Sequence, residues 1–200
     1  MISGAMIAVI GWGSLIWCPG ALAIASCWRA DGPRLPIEFA RISKDQRLTL
    51  VIVPDAAPVQ TYWARSAGGS LESCVQNLKL REGGERTPIA WVRRSGRIEV
   101  HNSSAEIVRG VEAWLASQPE LDAAVWTDLA SNWKTSLRRR EFSVDDAVDY
   151  ALGLERGDSE TLRRAREYVC NAPPQTQTAV RARLRERGWQ DAVLPSVLFE

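Results

Sequence analysis

Met6-Ile7-Ala8-Val9-Ile10-Gly11-Trp12-Gly13-Ser14-Leu15-Ile16-Trp17 is the stretch on which the reading of the fold turns. Met6 to Ile10 is a continuous apolar run and reads as a buried strand. Two glycines at alternate positions then let the backbone turn sharply and approach something closely. Ser14 adds a hydroxyl, and successive amides in such a turn form a concavity suited to an anion. The same residues also fit a hairpin turn with a glycine bulge. A dinucleotide fingerprint does not fit, because no third glycine follows at the required spacing and no helix signal opens there.

Working outward, Ile37–Ile42 and Arg47–Val53 read as a hairpin, and Val59–Ala64 as a further strand. After Gly68-Gly69 the period changes. Ser70 is placed to cap a helix with Leu71, Cys74, Val75 and Leu78 on one face, stopped by Gly83-Gly84. Four residues beyond Leu78 that apolar stripe lands on Glu82. A carboxylate on an apolar face is costly to ionise, so its pKa rises, as a general acid or base working near neutral pH requires. The competing reading pairs Glu82 with an arginine from a neighbouring strand, such as Arg41. Ile89–Val92 and Arg97–Val100, joined through Ser95-Gly96, form a last hairpin. Beyond it the pattern is helical. Ser103-Ser104-Ala105-Glu106 forms a capping box, and further helices are expected over 119–132, 143–152, 158–169 and 176–187.

The first hundred residues resemble the gamma-glutamylcyclotransferase-like family. Its loop, Gly-Tyr-Gly-Ser-Leu-(Ile/Met)-Trp in the glutathione-specific branch, is matched by Gly11 to Trp17 except that Trp12 stands for Tyr. Leu78-Lys79-Leu80-Arg81-Glu82-Gly83 matches a helix-end segment of the same family. The resemblance implies a small mixed β-barrel over residues 1–102; residues 103–200 lie outside the family pattern, and their helical periodicity makes them an all-helical extension packed on the barrel, for an α+β fold. It also implies a cofactor-free, metal-free reaction on a gamma-glutamyl amine or peptide that releases 5-oxoproline. Glu82 is then the general base and acid, and Trp12, Gly13, Ser14, Leu15 and Arg41 bind substrate. With Trp12, a phenol donor is lost from the loop, since indole carries one N–H in a different place.

Composition narrows the classes further. The 200 residues carry a net charge of +1, which points to neither nucleic acid nor membrane. Residues 1–102 hold 12 basic and 8 acidic side chains, and residues 103–200 hold 13 and 16, so an anionic small ligand suits the first half. The Arg138-Arg139-Arg140 run and the Arg181/Arg183/Arg185/Arg187 series are diluted by acidic neighbours and read as solvated helix faces. Four cysteines without CxxC pairing, and the single His101, suggest reduced thiols and no metal site. Ile24-Ala25-Ser26-Cys27 looks like a lipoprotein processing site, but no Lys or Arg precedes Arg29, so a cytoplasmic protein is expected. The rival class is a non-catalytic anion-binding or interaction module on the same fold.

Overall fold

The computed structural model describes residues 5–136 and 139–199. β1 (Ile7–Gly11) is buried along its whole length, which is why its sequence shows no polar alternation. It pairs antiparallel with β5 (Tyr62–Arg65) and parallel with β8 (Ala123–Thr127). β6 (Ile89–Arg93) joins β8 antiparallel and β7 (Ile98–Glu99) lies outside it, so the sheet order is β5-β1-β8-β6-β7. Side chains alternate between two cores. Ile7 and Val9 pack with Leu15, Ile16, Trp28 and the Leu71, Cys74 and Leu78 face of α2 (Leu71–Arg81). Ala8 and Ile10 face the larger core on the other side.

That larger core is covered by a second sheet. β2 (Arg34–Ile42) runs between β3 (Leu48–Ile52) and β4 (Pro58–Gln60), antiparallel to both. Leu35, Ile37, Phe39, Leu48 and Leu50 meet Trp12, Trp63, Trp126 and Trp133 there. α3 (Ala105–Ala116), α4 (Val144–Gly153), α5 (Ser159–Cys170) and α6 (Ala179–Glu186) add their apolar faces to the same core. The protein is therefore mixed α+β with two sheets, and no closed barrel forms among the described residues.

Several local expectations change. The glycine stretch is not a hairpin turn, since β1 takes both its partners from far along the chain. A single helical turn, α1 (Ser14–Trp17), follows Gly13 instead; four residues are too few to show a period. Val59–Ala64 is not one strand, because the chain passes between sheets at Thr61. The second half is not all helical. Residues expected to form a helix over 119–132 supply β8, at the centre of the main sheet. Leu121, Val125 and Leu129 fit a helical spacing by coincidence; a strand buried on both faces reads as the short unbroken run Ala123–Trp126. The cap of α3 is Ser104, whose Oγ accepts from the Ile107 amide, one residue later than a box anchored on Ser103.

Ser103 is engaged elsewhere. Asp128, 2% exposed, accepts from the amides of His101 and Asn102 at 2.7 Å each, from the Ser103 amide at 3.2 Å, and from the Ser103 hydroxyl at 2.6 Å. This cluster fixes the link from β7 to α3 against the end of β8. Asp128→Ala leaves those donors without an acceptor and is expected to cost about 3 kcal/mol, seen as a melting temperature lower by roughly 6–12 °C.

The basic series divides in two. Arg183 and Arg185 pair with Asp145 and Asp191 on the surface. Arg181 is not solvated; it is 1% exposed and bonds Asp191 and the carbonyls of Ala172, Pro173 and Thr176. Arg140 pairs with Asp146, and Arg138 lies outside the described residues. No helix among the described residues is long and apolar enough to cross a membrane.

Candidate active site

The site lies where β1 and β8, which are parallel, both end. β1 runs into Trp12, Gly13 and α1, and β8 ends at Thr127. The third wall is the end of α2. Ser70 caps its start, its Oγ accepting from the Ser73 amide. Glu82 is the C-cap, with its amide bonded to the Leu78 carbonyl at 3.0 Å. Gly83 and Gly84 follow at φ +119° and +121°, values a side chain would resist, so the helix stops there and Glu82 stays at its rim.

Between these ends opens a cavity of about 1020 Å³. Trp12, Gly13, Ser14, Leu15, Arg41 and Glu82 all line it, so every residue expected at the site reaches one hollow. The turn between β2 and β3, Ser43 to Arg47, forms its outer wall. Trp12 turns its Nε1 inward, donating to the Leu50 carbonyl at 3.4 Å. It serves as wall rather than as a donor into the hollow.

The partner of Glu82 is Arg81, not Arg41. Arg81 Nη1 lies 2.7 Å from Glu82 Oε1, and both side chains are largely buried, with 14% and 16% exposure. Its Nη2 donates to Ser14 Oγ at 3.1 Å and to the Cys18 carbonyl at 2.7 Å. One guanidinium thus ties the acid to the glycine loop. Burial pushes the Glu82 carboxyl above its ordinary range, and the Arg81 charge only partly opposes this. The carboxylate is paired yet has the open cavity on its other side. Arg41 instead donates to the Ala130 carbonyl at 2.7 Å.

The first-turn amides of α1 have no acceptor four residues back within the helix. The Ile16 amide donates to the Gly13 carbonyl at 3.0 Å, while the Ser14 and Leu15 amides have no hydrogen-bond acceptor among the described residues. Charge in the hollow is predominantly positive. Asp45 pairs with Arg47 at 2.8 Å and Glu82 with Arg81, while Arg41, Lys44 and Arg86 have no carboxylate partner among the described residues.

Comparison with protein-family models, curated proteins and solved structures finds no match for this chain. No group of three or more His, Cys, Asp and Glu stands close enough to hold a metal among the described residues. His101 sits 3.5 Å from Glu99 at the surface, and neither it nor any cysteine lines the cavity. Glu38, a further buried acid, belongs to the scaffold like Asp128. It accepts from the amides of Phe39, Ala179 and Val180 and so anchors the start of α6 on β2.

Two contributors are not among the residues expected from the sequence. Arg81 sits three residues after Leu78, on the same buried side as Glu82, so helical spacing did carry a signal for it. Tyr168 on α5 lines the cavity from the far half of the chain, and no local pattern marks it as more than a core residue.

Proposed function

We propose that the protein is a cytoplasmic, cofactor-free cyclotransferase of the gamma-glutamylcyclotransferase type, acting on a gamma-glutamyl compound. The observation that carries this reading is Glu82: a carboxylate raised by burial, facing an open cavity, and joined through Arg81 to the glycine loop. On this reading the two stacked sheets are an opened counterpart of the family's barrel.

The reaction needs three things from the chain. The substrate's α-ammonium must lose a proton, its side chain must bend back, and charge must be stabilised on the carbonyl oxygen. Glu82 takes the proton. The freed amine attacks the gamma-glutamyl carbonyl carbon, forming the ring C–N bond. The oxygen becomes an oxyanion against the Ser14 and Leu15 amides. The bond to the leaving amine then breaks as Glu82 returns its proton to that nitrogen, and the ring nitrogen gives up its second proton, which the departing amine takes as it becomes an ammonium. The products are 5-oxoproline and a free amine, with no other reactant consumed. Holding both ends of one molecule in one cavity replaces orientation that solution must find by chance.

The unpaired cations Arg41, Lys44 and Arg86 favour a leaving amine that itself carries a carboxylate, as an amino acid or peptide does. Arg41→Ala is expected to raise KM about tenfold for such substrates with little change in kcat, because the contact is made equally before and during the reaction. Steady-state kinetics on a gamma-glutamyl amino acid and on a gamma-glutamyl alkylamine check this; equal effects on both would remove Arg41 from the leaving-group side. The function itself is tested by incubating purified protein with both substrate types and quantifying 5-oxoproline by mass spectrometry. Release by the wild-type chain supports the reading. No release across the panel, with saturable binding of the same compounds, would favour a non-catalytic anion-binding module.

A further inference from the structure

β8 brings one more group to the cavity. Thr127, its last residue, lines the wall and is 9% exposed. Its Oγ1 is buried and has no hydrogen-bond partner among the described residues. Buried hydroxyls are almost always bonded, because one left unmet forgoes the bonds that water would give it. Valine would fill a strand position of this kind without that cost.

The topology places this residue beside the acid. Successive strand residues alternate between faces. Ala123 and Val125 pack on the α2 side of the sheet, and so does Ile89, which stands opposite Thr127. Thr127 therefore belongs to the face that α2 covers. α2 also runs in the same direction as β8. The Arg93 guanidinium donates to Glu72, near the start of α2, at 3.1 Å, and Arg93 is the register partner of Ala123. From Glu72 to Glu82 is about 15 Å of helix, and from Ala123 to Thr127 about 13 Å of strand. The acid and the threonine thus finish at one level. β1 starts in parallel register with β8, Ile7 opposite Ala123, and is equally long, so the glycine loop leaves the sheet at that level too.

On the cyclotransferase reading, the group brought to Glu82 is the α-amine of the substrate. After giving up one proton it keeps two N–H bonds and a lone pair, and the lone pair must face the carbonyl carbon. A neutral oxygen that accepts one N–H holds the nitrogen in that orientation. It does so without adding a second negative charge, which would favour the ammonium form and hold back the proton.

We propose that Thr127 is a substrate-binding residue of this site, whose hydroxyl accepts from the α-amine beside Glu82. Without substrate the same hydroxyl is a cost to the fold, a trade of stability for function. The inference rests on the cyclotransferase reading above and deepens it.

The test compares Thr127→Val and Thr127→Ser in 5-oxoproline release from a gamma-glutamyl amino acid, with melting temperatures taken without substrate. Thr127→Val keeps the shape and loses the hydroxyl. It is expected to lower kcat/KM about tenfold, the worth of one hydrogen bond, and to melt no lower than wild type. Thr127→Ser keeps the hydroxyl and should recover most of the activity. A Thr127→Val rate within twofold of wild type overturns the proposal. So does a melting temperature lowered by several degrees, which would show that the hydroxyl already has its partner in the fold. Equal losses in the two variants would assign the effect to the methyl group and overturn it as well. In a crystal of Glu82→Gln soaked with the same substrate, Thr127 Oγ1 should lie within about 3.2 Å of the α-amine; the α-carboxylate at that position overturns the assignment. If the wild-type chain releases no 5-oxoproline, the cyclotransferase reading falls first and takes this inference with it. If wild type is active and Thr127→Val matches it, only the inference falls.

Discussion

Glu82→Gln is expected to lower 5-oxoproline release by about a thousandfold, within the range lost when a positioned acid–base group is removed. The change is nearly isosteric, and the amide oxygen still accepts from Arg81. What disappears is the capacity to take up and return a proton. The effect on stability separates a working acid from a structural ion pair. Burial outweighs the Arg81 charge at Glu82, so the folded state binds this proton more tightly than the unfolded chain does. The stabilising contribution of the protonated group is complete below the unfolded pKa, about 4.3, and is lost as pH rises through the higher folded value. At neutral pH the ionised carboxylate is therefore a cost that glutamine does not carry. The variant should melt no lower than wild type at pH 7. A fall of many degrees would show instead that the pair exists to hold the fold. In the wild-type chain the acidic limb of kcat/KM should lie above the ordinary glutamate range, since the working form is the carboxylate.

Arg81→Met should produce the largest combined loss of stability and activity. The guanidinium bonds Glu82, the Ser14 hydroxyl and the carbonyls of Cys18 and Pro19, so its removal releases the loop from α2. It also leaves Glu82 buried without the charge that opposes its desolvation. Together these are expected to cost about 3 kcal/mol at neutral pH, read by denaturant or thermal unfolding. The Glu82 carboxyl moves further up, so the acidic limb of any remaining activity shifts to higher pH. The deficit in stability should shrink at low pH, where Glu82 is neutral in both proteins. A deficit that does not change with pH would mean that the carbonyl contacts alone account for it.

These expectations depend on features that differed in how plainly the chain displayed them. β1, the β2–β3 hairpin and α2 were legible because each carries a strong local signature: an unbroken apolar run, alternating strands around a polar turn, and a capped amphipathic helix with a glycine stop. Glu82 was legible for the same reason, as the next position on a stripe that was otherwise apolar. β8 was not. A strand buried on both faces loses its alternation, and Leu121, Val125 and Leu129 then imitate a helix. Arg81 was legible in part, since its spacing from Leu78 puts it on the buried side, but its bonds to Ser14 and the Cys18 carbonyl depend on α1 approaching the end of α2, a tertiary fact. Tyr168 lay furthest out of reach. Within α5 it is one apolar position beside Ala165 and Val169, and only the packing of α5 against β3 sets its hydroxyl above Gly13.

The most direct test of the central claim is a crystal structure of Glu82→Gln soaked with a gamma-glutamyl amino acid. The account predicts an intact ligand bent back on itself in the cavity. Its α-amine should lie within hydrogen-bonding distance of the residue 82 side chain, and its gamma-glutamyl carbonyl against the Ser14 and Leu15 amides. A ligand bound with its amine far from residue 82, or an empty cavity at saturating concentration, would contradict it.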